Sequence, residues 1–473
     1  MKIKHIIFTL LFSILGFLLH GQSLDDAKSW YLEGRYAEAL PLFQREYLND
    51  PDNAALNQWI GVSLLQTGKI LDAEKYLTYA AEKKIPESFL YLGELYAKLY
   101  RFEDAEEAFG KYQRANRRNE EALEKLAGKR EEADKLRRTT NRTEDIQIID
   151  SLVLPKTGFL TAYNLSLSSG SLMTANDFFK DLTASDKTLF MNERQDKIYY
   201  SQGDTDSGDD LFTMDKLLDS FGNEKKLSES INMDGDQAYP FMMSDGLTIY
   251  FASTGHQSLG GYDLYVSRYH IASDAYLTPN QLNMPFNSPF NDYMMAIDEE
   301  KGIGWFASDR FQPADSVCVY TFIPNAQVTL IESDDSVYLS RRARIASIAE
   351  TWKVNSDYTS LRALAQQKTI SRHENRGDFL FIINDKTTYH HLSDFKSNQA
   401  RSLFSQALGL EDQLKVLNEE LSGKRDQYAG GNSANETLVR SIIALEKETE
   451  SLFREIEKLQ WQARNEEIGT IFN

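Results

Sequence analysis

The stretch DGLTIYFASTGHQSLGGYDLYVS (residues 245–267) decides how the middle of this chain folds. Its Gly260-Gly261 pair has the composition of a phosphate-binding loop. Such a loop joins a strand to the N-terminus of a helix, where free backbone N–H groups and the helix dipole receive the anion. Here both flanks, IYFA and DLYVS, are β-rich. The pair is therefore read as a hairpin loop in which glycine supplies positive-φ positions.

The frame recurs. DKIYYSQGDTDSGDDLFTM (196–214) and KGIGWFASDRFQPADSVCVYT (301–321) repeat the order strand, turn-rich loop, strand. Ile198, Ile249 and Gly304 are equivalent and recur at a nearly even spacing. Strand–loop–strand units at this period predict propeller blades. YPFMMSDGLTIYFASTGHQSLGGYDLYVSRY (239–269), with its Ser244-Asp245-Gly246 turn, resembles the TolB-type, WD-like repeat. LNMPFNSPFNDYMMAID (282–298) resembles the stretch between blades in Gram-negative envelope proteins that join tetratricopeptide repeats to such a propeller. The expectation is a partial or small propeller over 150–395, of four to six blades. Residues 158–172 would supply part of another blade. Residues 377–392 would supply a hairpin turning at Asn384-Asp385, and 336–370 a helical insertion.

The N-terminal third has its own repeat. EGRYAEALPLFQREYLNDPDN (33–53), TGKILDAEKYLTYAAEKKIPE (67–87) and LYRFEDAEEAFGKYQR (99–114) superpose, with small Ala39, Ala73 and Ala105 at the same point of each. Gly61 and Gly93 mark a second small position, and large Phe43, Leu77 and Phe109 follow. This resembles the tetratricopeptide repeat, in which small residues let paired helices approach and large ones fill the groove to the next pair. A solenoid over 22–138 is expected, with 118–138 as its capping helix and the first repeat short of most of its first helix. Tyr91, Tyr96, Tyr100 and Tyr112 are expected mostly in its core.

At the other end, Ala400, Leu403, Ala407, Leu410, Leu414, Leu417 and Leu421 alternate spacings of three and four. So do Leu438, Ile442, Leu445, Thr449, Leu452, Ile456 and Leu459. AGGNS (429–433) interrupts the two series. They predict an antiparallel coiled-coil helical hairpin over 396–466, with Phe453 and Trp461 off the seam. It stands where related envelope proteins carry an OmpA-like domain, which nothing here matches.

The chain begins with Lys2 and Lys4, then an apolar run from Ile6 to Leu19 that is too short for a membrane span,. This reads as a signal peptide, 1–21, cut after Gly21, with no transmembrane span in the rest of the chain,. Net charge is −19, which disfavours nucleic acid as a partner,. Cys318 is the single cysteine, so disulfides within the chain are excluded, and its apolar run predicts a buried thiol.

No HExxH, GxSxG or P-loop occurs,. His390 and His391 are adjacent in a predicted strand, where successive side chains point to opposite faces, so one metal could hardly take both. Asp204, Asp206 and Asp209 in GDTDSGDD are calcium candidates, weighed against an ordinary solvated loop,. RGD (376–378) begins a strand. No catalytic residue or cofactor is expected.

The fold expectation is multidomain α + β: helical solenoid, all-β propeller, helical hairpin. The resemblance implies a non-catalytic scaffold in the periplasm, associated with the outer membrane and partnered by other envelope proteins of an assembly or secretion complex. The alternative is a periplasmic enzyme or glycan-binding protein using a propeller channel. The solenoid pattern carries a direct test. Ala73→Phe should overpack its helix pair by about 1–3 kcal/mol. Because repeats touch only their neighbours, the damage should stay in the N-terminal third. Limited proteolysis should show early cleavage there and an intact middle region.

Overall fold

The computed structural model describes residues 23–179, 187–204, 208–217, 220–367, 379, 381–384, 387–429 and 436–472. The expected signal peptide, Asp206, Asp385 and the RGD motif lie outside them. The fold is mixed α + β, in two compact units, Met1–Thr369 and Ile370–Asn473.

The first unit opens with paired helices: α1 (Leu24–Leu32), α2 (Tyr36–Tyr47), α3 (Ala54–Gln66), α4 (Ile70–Glu82), α5 (Pro86–Lys98) and α6 (Phe102–Ala115), then the long α7 (Glu120–Thr140). Side chains of Ser23, Asn53 and Asn119 cap α1, α3 and α7 by accepting backbone N–H bonds,. Ala39, Ala73 and Ala105 are buried. A Cβ at Gly61 would lie 2.6 Å from Leu77 Cγ, and one at Gly93 would lie 2.2 Å from Phe109 Cε1. The small positions thus mark where a large residue of the second helix presses on the first. Against expectation, the first repeat has its first helix. In α1 the buried Ala27, one repeat length before Gly61, takes the small position.

The turns between paired helices show one departure. Gly34 and Gly68 adopt φ +80, but the third repeat puts Tyr100 there, at φ +62. A bulky residue in this region is strained by ~1–3 kcal/mol. Packing holds it there. The Tyr100 ring is 5% exposed, edge-on to Phe102 at 6.3 Å, and clusters with Leu136, Met284 and Ala343. Met284 and Ala343 belong to segments beside the sheets, so this turn docks the solenoid.

After α7 the chain enters β1 (Gln147–Pro155). A first sheet follows, with β2 (Ser171–Thr174), the single-turn α8 (Ala175–Phe178), β3 (Thr188–Met191), β4 (Lys197–Asp204), β5 (Gly208–Leu217) and β6 (Ser220–Lys226). The second sheet has β7 (Gln237–Met242), β8 (Thr248–Ser253), β9 (Asp263–His270), β10 (Ala275–Tyr276) and β11 (Asn280–Gln281). The third has β12 (Asp292–Asp298), β13 (Ile303–Ser308) and β14 (Ser316–Ile323), completed by β1, which pairs antiparallel with β14. All three are antiparallel meanders, and Ile198, Ile249 and Gly304 fall in their equivalent strands β4, β8 and β13. Strands β7 and β12 carry matching bulges, where Tyr239 (φ +56) and Met294 (φ +39) turn out of the ladder,.

The expected ring of four to six blades is not found. Among the described residues there are three such sheets and no closed ring. Residues 158–172 form no extra blade. They pass as two 3-10 turns (Phe159–Ala162 and Leu167–Ser169) into β2. Phe159 and Tyr163 wedge among Tyr239, Tyr293 and Trp305 in the shared core of the sheets. Nor are the described residues of 336–370, 336–367, an insertion between blades. They follow the last strand as α9 (Ser336–Ala343), a 3-10 turn (Ile348–Thr351) and α10 (Thr359–Gln366), and they cover β1. Trp352 Nε1 donates to the Ile148 carbonyl (2.8 Å) and Arg362 Nε to that of Ile149 (2.5 Å). The outer strand is thereby blocked from adding another.

In the second unit, β15 (Phe381–Asn384) and β16 (Thr387–Tyr389) precede α11 (Asn398–Ala429) and α12 (Glu436–Phe472). The hairpin assigned by sequence to the propeller packs here. Phe381, Ile383 and Tyr389 bury against Phe395, Phe404 and Ala463. Glu467 of α12 is fully buried and accepts from Tyr389 Oη (2.8 Å) and the N–H groups of Lys396 (2.6 Å) and Ser397 (3.0 Å), next to the start of α11.

Tyr100→Gly tests the docking turn. It relieves the backbone but empties an aromatic site, a loss of about 3–5 kcal/mol for truncating such a ring. The expected net result is faster amide exchange at α7 and the 282–288 linker, with α1–α4 unchanged.

Candidate functional site

A cleft of about 1060 Å³ opens between the solenoid and the sheets. One wall is the α3–α4 turn (65–72) with Glu94, Lys98, Lys129, Glu132 and Lys135. The other is the loop Ser258, Leu259, Gly260, Gly261 with residues 289–291, Asp309 and Phe311. Phe290 and Phe311 stack edge-on at 4.9 Å and pack onto the solenoid core, setting the spacing between the walls.

The glycine pair that opened the sequence reading lies in this wall, between strands as expected, but for a different reason. Neither glycine has a positive φ. A Cβ on Gly260 would lie 2.5 Å from the Pro289 carbonyl carbon, and one on Gly261 would lie 1.9 Å from Asn291 Oδ1. The third sheet's entry segment lies directly on the loop. Asn291 Oδ1 accepts from Tyr262 N (3.1 Å), and Asn291 N and Nδ2 both donate to Asp309 at 2.9 Å. Asp309 also receives Lys156 Nζ (2.9 Å) and Tyr293 Oη (3.0 Å). Sequence could flag the glycines but not the Asn291 carboxamide they make room for.

Asp263 anchors the loop from below, accepting from Leu259 N at 2.8 Å and from Gln281 Nε2. It is fully buried, and its Oδ1 has no hydrogen-bond partner. Desolvation, aided by nearby Asp292, pushes this carboxyl well above the usual range,.

Charges on the walls are interleaved. Glu94, 6% exposed, takes Lys129 at 3.2 Å and Lys98 at 3.5 Å, and Glu132 takes Lys129 at 2.9 Å. Burial alone would lower Lys129, but the Glu94 and Glu132 carboxylates outweigh it and raise it. Lys135 Nζ reaches across to the Gln257 carbonyl at 2.7 Å. Lys69, Lys98, Lys129, Lys135 and Lys156 face Asp72, Glu94, Glu132 and Asp309, so a chain of net charge −19 keeps this cleft slightly basic.

The residues singled out as chemistry candidates do not converge here. Of the calcium candidates, Asp206 lies outside the described residues, Asp204 is described for its backbone alone, and the Asp209 carboxylate is taken by Lys187. His390 and His391 lie past the end of β16, not within a strand. Both are exposed, and both donate backbone N–H bonds to Asp394 at 2.8 Å. Cys318 is buried in β14, and burial raises its thiol. Phe159, Tyr163, Tyr239 and Tyr293 pack together in the shared core of the sheets, with Tyr163 Oη donating to the Met294 carbonyl at 2.8 Å.

No protein-family model and no curated protein matches the chain. Several solved structures do, each over about a quarter of it. The type III secretion chaperone SycD of Yersinia enterocolitica, in complex with a peptide of the translocator YopD, is 19% identical over 24% of this chain and 88% of its own, with a TM-score of 0.22. The P58(IPK) TPR domain is 25% identical over 25% of this chain and 33% of its own, TM-score 0.22. A type III secretion complex from Aeromonas hydrophila is 21% identical over 27% and 95%, TM-score 0.21. At such scores the helical repeats of this chain stand on their own geometry.

The Asp263 carboxyl sets a pH dependence. A folded-state value raised above the unfolded one means stability is fully present below the ordinary carboxyl range and is lost as pH rises through the folded value. Asp263→Asn mimics the protonated form. Its thermal midpoint should match the parent near pH 4 and exceed it near pH 8. A variant less stable than the parent near pH 8 would show that the charged form is the one the loop needs.

Proposed function

We propose that the chain is a non-catalytic interaction scaffold. The cleft between solenoid and sheets receives an extended segment of a partner protein. One observation carries this reading: a braced cleft whose walls come from two structural layers, with lysines and carboxylates interleaved along it. A peptide offers both charges and backbone groups to such a surface, and preformed walls reduce the ordering cost of binding it. The three meanders are read as blades of an incomplete TolB-type propeller that serves as one wall. The basic and apolar N-terminal run and the resemblance to envelope proteins support a periplasmic place beside the outer membrane, within an assembly or secretion complex.

The test is affinity capture of the natively expressed full chain from solubilised envelopes. A stoichiometric outer-membrane partner is expected. Lys69→Glu combined with Leu71→Glu, both exposed on the cleft wall, should weaken that partner at least tenfold. Leu152→Glu, exposed on β1, should leave it unchanged. Recovery of the chain alone overturns the scaffold reading. Undiminished capture by the cleft variant overturns the cleft's part in it.

A further inference from the structure

Five lysines and four carboxylates line the cleft between the solenoid and the sheets. Three of the lysines are neutralised by ion pairs. Glu94 takes Lys98 and Lys129, Glu132 takes Lys129 again, and Asp309 takes Lys156. Lys69 has Asp72 three residues on, in the same exposed turn. Lys135 is different. Among the described residues it forms no ion pair, and its Nζ donates only to main-chain carbonyls, those of Gln257 (2.7 Å) and Ser258 (3.4 Å). Glu131 and Asp134, its neighbours on α7, are exposed. Asp263, buried behind the loop, feels Lys135, but desolvation and Asp292 hold its carboxyl well above the usual range, so it supplies little opposing charge,. The surplus positive charge of the cleft is thus localised on one ammonium.

That ammonium is also held in place. Lys135 leaves α7 half-buried and reaches the loop of the opposite wall. The two carbonyls that receive it belong to a turn in which His256 (φ +51) and Gln257 (φ +63) are both left-handed. An ammonium has three N–H donors. Two are used here, the carbonyl dipoles leave its full charge in place, and the third donor is left for a group in the cleft. The side chain is already ordered, so a ligand does not bear the cost of immobilising it. We propose that Lys135 receives a carboxylate of the segment that the cleft binds, so that the partner carries Asp or Glu where it passes the loop 258–261. This rests on the reading of the cleft as a peptide site. The surplus is a single charge, which a single carboxylate matches. A more acidic segment would meet Glu94, Glu132 and Asp309 along the same walls,.

Panning a display library of short random peptides on the immobilised full chain tests this. The parent should select peptides with Asp or Glu at one recurring position. Changing that acid to its amide in a selected peptide should weaken binding about tenfold. Against Lys135→Gln the same change should have no effect, and selection should lose the acid at that position alone. Against Lys135→Glu, a Lys or Arg should be selected in its place. An acid preference that survives in Lys135→Gln overturns the role of Lys135 and leaves the cleft reading standing. So does its absence from peptides that bind the parent but not Lys69→Glu with Leu71→Glu. If no peptide is selected, or if that cleft variant binds the selected peptides as well as the parent does, the cleft reading falls and this inference with it.

Discussion

Arg310 and Asp292 form an ion pair at 2.6 Å with both side chains out of solvent, and the first unit is arranged around it. Arg310 Nε donates to Ser308 Oγ (2.8 Å), Nη2 also to the Phe286 carbonyl (3.2 Å), and Nη1 to the Ala343 carbonyl (3.3 Å). Ser288 Oγ donates to the second oxygen of Asp292 at 2.8 Å. Burial would lower the guanidinium, but the Asp292 charge more than compensates and raises it. A buried pair of this kind adds little net stability, yet losing either partner alone costs about 3–5 kcal/mol. Its consequence is geometric. Strands β12 and β13, the linker before β12 and the end of α9 are held at one point. The Tyr100 turn of the solenoid packs in the same region, against Met284 and Ala343.

From that point the cleft follows. With the linker fixed at Phe286 and Ser288, the next residues, 289–291, lie against Gly260-Gly261 and hand Asn291 to Asp309. With α9 fixed at Ala343, the chain runs back over β1, and the third sheet can take no further strand. The sheets cannot grow toward a ring on that edge, and residues 159–165 fill the space where their inner strands meet. The cleft therefore opens where the solenoid meets the sheets, while the space between the sheets themselves is filled by side chains.

The helical repeats were legible because their signal is local and steric. Gly61 and Gly93 are small whatever else the chain does, since Leu77 and Phe109 need the room. The blade frame was legible for the same reason. Even Gly304, the glycine at a position held by isoleucine in the other two sheets, is accounted for by the Phe322 ring, 2.4 Å from where its Cβ would stand. Partnership across long separations was not legible. The alternation in β15 says that Phe381 and Ile383 share a face, but not that this face seeks α11 and α12 rather than another sheet. Blade-like spacing likewise cannot say whether blades close. The glycine pair 260–261 was placed correctly in a hairpin and explained wrongly, because a collision with Asn291 leaves no trace in local sequence.

The positions where the chain departs from local rules are instructive as a set. Tyr100 stands where its sister turns have glycine. Tyr239 and Met294 turn out of their strands at positive φ. Asp263 is a buried acid with one oxygen unpartnered. Strain and unmet polar groups persist only where the surroundings over-determine them, and they concentrate where function needs a fixed geometry. Tyr100 fixes the solenoid's approach and Asp263 fixes the glycine loop. Tyr239 and Tyr293, brought together by the two bulges at 5.2 Å, close the core behind that loop. Tyr100 and Asp263 thus bear on the two sides of the cleft, whereas Ile345 (φ +55) and Gln195 (φ +58) carry the same backbone cost outside its lining.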